Sequence, residues 1–435
     1  MFGYYFNLAL RSFRRNRALT ALMVLAIALG IGASVTTLTV FRVLSGDPIP
    51  QKSDRLYYVR MDPATMDGFT PGEDPDEQMT RFDAEALLRE ARGDRQALMS
   101  AGSVAVEPDA EGLAPFVLQA RYTSADFFAM FDTPFRHGSG WQRGDDESRA
   151  RVAVISRAMA ERLFGDTDPT GRSLRMGRTD FRVVGVLDDW RPTPRFYDMS
   201  SGEFTESEDV YLPFSTSRDL RLPTQGNMNC WAEPTGEEGS TGPDAPCTWM
   251  QYWVELDSPA KAATYRAYLD NYTSQQRAAG RFERPDNNAL TPVMAWLEER
   301  EVVPSDVRLQ VWLAFGFLAV CLLNTVGLLL AKFMRRGGEI GVRRALGASR
   351  RSIFMQCLVE AGTVGLAGGA LGMLLALLGL WAVRRQPADY AELARMDPTM
   401  LLVTFAMAIA ASLLAGVLPA WRAMQVTPAI QLKSQ

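Results

Sequence analysis

The sequence predicts an α-helical membrane protein with four transmembrane helices and a mixed α/β domain of two lobes inserted between the first and second spans. Three observations predict it: four long apolar runs, a polar and acidic stretch separating the first two, and an uneven distribution of arginine and lysine beside the runs.

The 435 residues are 47% hydrophobic, ordinary for a soluble protein, but the apolar residues are concentrated at 19–41, 309–331, 353–383 and 400–418. Each run has about 19 residues or more, and at about 1.5 Å per residue that crosses a hydrocarbon core of about 30 Å. Arg11, Arg14, Arg15 and Arg17 ahead of the first run give it the look of a secretory signal. It is about twice as long as a signal's apolar core, and three more spans follow, so it reads as a retained anchor.

Orientation follows from charge. Residues 1–18 carry four arginines and no acid, 332–352 carry seven basic residues against Glu339, and the tail beyond 419 carries Arg422 and Lys433, whereas the whole chain is −4. The positive-inside bias puts both termini and the 332–352 loop in the cytoplasm and the acidic region 46–306 outside, with Arg384 and Arg385 as exceptions. Cysteine usage agrees. Cys321 and Cys357 fall within apolar runs, where a thiol acts as a small hydrophobe. Cys230 and Cys247 bracket a loop rich in Gly, Pro, Ser and acid in the outer region, and such a pair in an oxidising compartment reads as a disulfide, the alternative being two unrelated thiols.

The outer region alternates strands and helices. A strand is expected at 56–61, a helix at 80–91 capped by Thr80, strands at 98–106 and 116–122, and a helix at 124–131. RVAVIS, the helix SRAMAERLFG and the strand FRVVGVL follow, and beyond the cysteine loop come a strand at 250–256, a helix at 259–276 and a strand near 290–295. The segment 123–220 reads as a middle lobe inserted into an outer lobe made of 46–122 and 248–306.

Little of this region suggests chemistry. His137 is the only histidine, which excludes a histidine-rich metal site and a serine triad of the usual kind. GDTDPTGRS at 165–173 has five residues between its glycines and arginine where a phosphate loop carries lysine, so it reads as a turn. The acidic segments at 72–77 and 144–147, and Asp188 with Asp189, read as solvated loops. No catalytic, cofactor-binding or metal-ligating constellation emerges, and no nucleic-acid partner is expected.

Within the runs, Asn324 lies about eight residues before the inner end of the second span and Glu360 about seven after the third begins, at about 1.5 Å per residue a matching depth. The two are expected to pair, against the alternative that Glu360 snorkels to the headgroups or stays neutral. The third run repeats glycine at four-residue spacing, Gly365 with Gly369 and Gly368 with Gly372, which permits close helix approach. Between the second and third runs, Val342, Ala345 and Leu346 fall on one face of a short helix and Arg343 and Arg344 on another; Gly347 can end it and Ser349 can cap the next. A basic patch bound to anionic lipid is the plain alternative. A glycine-bounded helix with Glu339 at its start is more structured than that requires.

EIGVRRALGASRRSIFMQCLVEA closely resembles the cytoplasmic loop and third-span start of the MacB and FtsX superfamily of ABC transporter permeases. ALRSFRRNRALTALMVLAIALGIG is similar to the family's first helix and span, DRLYYV to the start of its periplasmic domain, VAVISRAMAERLFGDTDPTGRSL with FRVVGVL to the middle of that domain, and AGVLPAWRAMQVTPAIQL to the last span and tail. The resemblance covers nearly the whole chain. It implies a bacterial inner-membrane permease with a two-lobed periplasmic domain, paired with a second copy or a related permease and driven by an ABC ATPase. A periplasmic adaptor and an outer-membrane channel are further partners it admits. In such proteins ATP hydrolysis is held to move the periplasmic part rather than to carry substrate through the membrane.

Many MacB proteins begin with a fused nucleotide-binding domain, whereas this chain starts about 18 residues before its first span and has no phosphate loop. The expectation is a separate ATPase polypeptide and a permease that is itself non-catalytic. The segment 336–351 is then expected to couple the two, with Val342, Ala345 and Leu346 as apolar contact, Arg343 and Arg344 supplying charge, and Glu339 and Gly347 bounding the helix. A receptor with an external sensing domain is the alternative class, disfavoured by cytoplasmic segments too short for an output domain. A membrane-anchored enzyme lacks a nucleophile with its base. No residue identifies the exported substrate.

Overall fold

A computed structural model of the protein describes residues 17–108, 114–387 and 390–425, together with Leu8. The basic positions Arg11, Arg14, Arg15 and Lys433 lie outside the described residues. The chain divides into a membrane unit, Met1–Ser45 with Val303–Gln435, and an α/β unit, Gly46–Val302.

In the membrane unit the helices Arg17–Ser45, Ser305–Arg335, Arg350–Val383 and Pro398–Met424 are each long and apolar enough to cross a membrane. They overrun the apolar runs because caps, rather than the limits of hydrophobicity, set several ends. Ser349 Oγ accepts from the Ser352 N–H at 3.2 Å, and Asp397 Oδ1 accepts from the Met400 N–H at 2.6 Å ahead of Pro398 in the first turn.

The two glycine pairs of the third span face different neighbours. A Cβ at Gly365 would collide with Ser412, and one at Gly369 with Ala408, both on the fourth span. One at Gly368 would stand 2.7 Å from Ile27 Cγ2, and one at Gly372 3.1 Å from the Ala28 carbonyl oxygen, both on the first. Glycine therefore lets the third span press its backbone against two helices at once.

The α/β unit is built on one path of paired strands. It runs Ala289–Pro292, Leu56–Arg60, Cys247–Glu255, Arg95–Glu107, Phe116–Thr123, Val210–Pro213, Val152–Ile155, Thr179–Leu187 and Phe135–Gly138. Phe116–Thr123 with Val210–Pro213 and Val152–Ile155 with Thr179–Leu187 are parallel; the other neighbours on the path are antiparallel. Strands from 123–220 occupy one end, which is the ground on which we propose the outer and middle lobes. Thr80 caps the helix Arg81–Glu90 by accepting from the Asp83 N–H at 3.1 Å.

The segment 165–173 turns at Gly165 and Gly171, with φ of 68° and 84°. The strand expected near 290–295 stops at Pro292, where the helix Val293–Glu299 begins. Val293, Trp296 and Leu297 are buried at helical spacing, and Trp296 lies against Tyr58 with ring centroids 4.4 Å apart.

The unit also buries a charge cluster. Arg121 places Nη1 2.7 Å from Asp198 Oδ2 and pairs as well with Glu208, which meets Arg195 at 3.1 Å and accepts from the Tyr197 hydroxyl at 2.9 Å. Burial pushes both carboxyls up, but the Arg121 and Arg195 guanidiniums outweigh it and hold them below their ordinary values. Because the folded values are depressed, the stability these acids confer is complete above about pH 4, where unfolded carboxyls titrate, and is lost as pH falls through the folded values.

Arg121→Met strands the buried Asp198 carboxylate and leaves Glu208 with Arg195 and Tyr197 alone. It is expected to lower unfolding stability by about 3–5 kcal/mol at neutral pH and by less at about pH 4, where the stranded group takes up a proton. Denaturant titration at the two pH values checks this, and an equal loss at both would mean that the cluster acts through packing alone.

Candidate coupling element of the membrane unit

The second span passes into a short helix, Gly337–Ala345, within two residues. Gly347 adopts φ of 99°, a conformation that favours glycine, and redirects the chain to the Ser349 cap of the third span. Ile340 and Gly341 are buried in the bundle, whereas Val342 and Ala345 are exposed and Leu346 is 83% exposed. Their i, i+3, i+4 spacing aligns them as one stripe.

Arg343 and Arg344, expected to present charge to a partner, are half-buried and tied to their own chain. Arg343 Nη2 lies 2.9 Å from Glu339 Oε1 and Nη1 donates to Gln356 Oε1 at 2.9 Å, while Arg344 donates to the Met424 carbonyl at 3.4 Å. The cause is geometric: both stems reach the neighbouring ends of the third and fourth spans, where these acceptors stand.

Glu339 also accepts from Arg336, at 3.1 and 3.2 Å. Arg336 Nη1 lies 3.0 Å from Glu360 Oε2, and Lys332 Nζ lies 2.8 Å from the other oxygen. Lys332, Glu360, Arg336, Glu339 and Arg343 thus form a continuous run of charges joining the second span, the short helix and the third span. Lys332 and Glu360 are 1% and 3% exposed, so this is a desolvated network.

The structure does not bring Asn324 to Glu360. The buried stripe of the second span runs through Cys321, Thr325, Leu329 and Lys332, and Asn324 falls one residue off it onto the exposed face. Depth along the helix was matched, but rotational phase was not. Lys332 and Arg336, counted from sequence only as inside charges, are the groups that meet Glu360. The readable signal was Lys332 at the inner end of the second run, a long side chain able to reach an acid two turns into the third.

Cys230 and Cys247 face each other across antiparallel strands and are joined by a disulfide, closing a separation of 17 residues; Cys321 and Cys357 are buried thiols. Non-reducing mass spectrometry of the membrane-extracted protein is expected to find the linked peptide, and reduction to lower the α/β unit's stability by about 3 kcal/mol. Recovery of both cysteines as thiols would contradict the pairing.

The family model of the MacB-like periplasmic core domain matches residues 20–272, and that of the FtsX-like permease C-terminal region matches 311–428. Over 98% of its length the chain is 25% identical to the macrolide export ATP-binding/permease protein MacB of Marinobacter nauticus, of which it covers 60%. Over 71% of its length it is 28% identical to the pyoverdine export ATP-binding/permease protein PvdT of Pseudomonas entomophila, of which it covers 42%. The chain therefore spans about 60% of the first relative and less of the second. The crystal structure of the periplasmic region of MacB from Actinobacillus actinomycetemcomitans aligns with 60% of this chain and 98% of its own, at 13% identity and a TM-score of 0.38.

Proposed function

Because this chain belongs to the family of MacB-like and FtsX-like ABC transporter permeases, we propose that it passes ATP-driven motion from a cytoplasmic ATPase to its α/β unit and so drives efflux or extrusion of a substrate. The observation that carries the reading is the uncovered stripe of Val342, Ala345 and Leu346, on a helix whose other side is ion-paired to the bundle. An apolar contact face on a rigidly held helix is what a docked subunit needs in order to push on the spans. The permease does no bond chemistry of its own in this reading.

The basic charge beside the spans supports an orientation with the short helix and both termini in the cytoplasm and the α/β unit in the periplasm of a bacterial inner membrane. A separate ABC ATPase subunit is the proposed driver of this permease. A second permease copy or a related permease completes the proposed assembly, with a periplasmic adaptor and an outer-membrane channel as its outer partners. The relatives are named for macrolide and pyoverdine export, and an exported small molecule of that general kind is the proposed cargo.

The test is purification of the tagged full-length chain from its native membrane in mild detergent, with identification of what co-elutes. A phosphate-loop ATPase in stoichiometric amount is the expected result. A signalling protein in its place would mean that the chain serves as a receptor.

A further inference from the structure

A cleft of about 610 Å³ opens in the α/β unit beside the helix Arg81–Glu90 and the helix Phe214–Asp219. Its walls carry arginines and acids in quantity, and most of them neutralise one another. Arg81 holds Glu85 at 2.7 Å and Glu238 at 2.6 Å, Arg143 holds Asp126 at 3.0 Å, and Arg149 holds Asp219 at 3.0 Å.

Arg218 stands apart from this exchange. It is 8% exposed, lines the cleft, and has no carboxylate at ion-pair distance among the described residues. Its Nε donates to Ser217 Oγ at 3.2 Å and its Nη2 to the Leu222 carbonyl at 2.8 Å. Of the five N–H donors that a guanidinium carries, the other three have no partner among the described residues. The rings of Tyr122, Phe214 and Trp249 surround the cation at 5.6, 5.7 and 5.5 Å.

Burial pulls the Arg218 pKa down to about 10, and the Arg81 field acts in the same sense. The group therefore stays charged at neutral pH. Glu85 and Glu238, whose fields favour that charge, are already held by Arg81. Aromatic faces compensate a desolvated cation only in part, so a built cation without a counter-charge in an open cleft points to an anion that arrives from outside.

We propose that this cleft binds an organic monoanion, a carboxylate on an apolar body, with the carboxylate taken by the open N–H donors of Arg218 and the body lying along Phe214, Leu88 and Leu98. A single charge is favoured because Arg218 is the buried cation of the cleft without a carboxylate at ion-pair distance among the described residues, Arg89 on the same walls being exposed to water, while Glu147 repels a multiply charged group. The site goes beyond the coupling reading, since occupancy requires neither an ATPase nor transport.

The test is titration calorimetry of the full-length protein in detergent micelles with three probes: N-acetylphenylalanine, its neutral amide, and phenyl phosphate. The acid is expected to bind, with the amide at least about tenfold weaker, as loss of a charged hydrogen bond implies. Phenyl phosphate should bind more weakly than the acid. Arg218→Met should erase the difference between acid and amide, and Arg218→Lys, which keeps the charge without the planar fork, should keep part of it. If Arg218→Met does not fold, the wild-type comparison of acid with amide and the lysine variant decide the matter. Equal binding of acid and amide, no binding of the acid at millimolar concentration, or tighter binding of phenyl phosphate would each overturn the proposal.

Discussion

Leu346→Asp is expected to abolish complex formation with the ATPase and the stimulation of its ATP hydrolysis while both units of the permease stay folded. The side chain is 83% exposed, so its replacement removes little packing from this chain. In a docked complex it would be buried, and a carboxylate there meets apolar surface without a counter-ion. Central apolar contacts of this kind carry about 2 kcal/mol or more, so binding should weaken by roughly thirtyfold at least. The paired substitution Arg343→Lys with Arg344→Lys should have a smaller effect, because the contact face is untouched. Some effect is expected, since Arg343 bridges Glu339 and Gln356 with two ends of one guanidinium and a lysine reaches only one of them. Measurement in reconstituted membranes separates the readings: retention of ATPase binding by Leu346→Asp would make the segment a lipid anchor.

Glu360→Leu should be the most damaging single change within the bundle. It leaves Lys332 buried beside Arg336 with no carboxylate between them, and breaking a buried pair in this way costs about 3–5 kcal/mol. The expected phenotype is a lowered unfolding midpoint in detergent together with easier proteolysis after Arg343 and Arg344, because the short helix keeps only the Arg343–Gln356 tie to the third span. The double change Glu360→Leu with Lys332→Met should recover much of the loss, since Arg336 keeps Glu339 and no lone lysine is left. A Glu360→Leu protein as stable as wild type would show that the network contributes nothing to the fold.

What the sequence disclosed and what it hid divide along the range of the interactions involved. The spans, the Thr80 and Ser349 caps and the glycine that ends the short helix depend on residues within a turn or two, and all were legible. Asn324 was misassigned because a matching depth says nothing about which way a side chain faces. Arg343 and Arg344 look like surface charge when read in line; their acceptors, Gln356 and Met424, belong to other helices. Arg121 finds Asp198 and Glu208 across the sheet, and no local pattern marks an arginine that will be fully buried. Arg218 was hidden in the same way, inside an unremarkable turn of helix.

The glycine contacts of the third span limit which movements the bundle allows. A helix whose backbone rests on Ser412 and Ala408 on one side and on Ile27 and Ala28 on another cannot spin about its own axis without driving side chains into a neighbour's main chain. Its rotational freedom is locked in the manner of a key between two wards. A torque applied at its Ser349 end is therefore expected to move the first, third and fourth spans together.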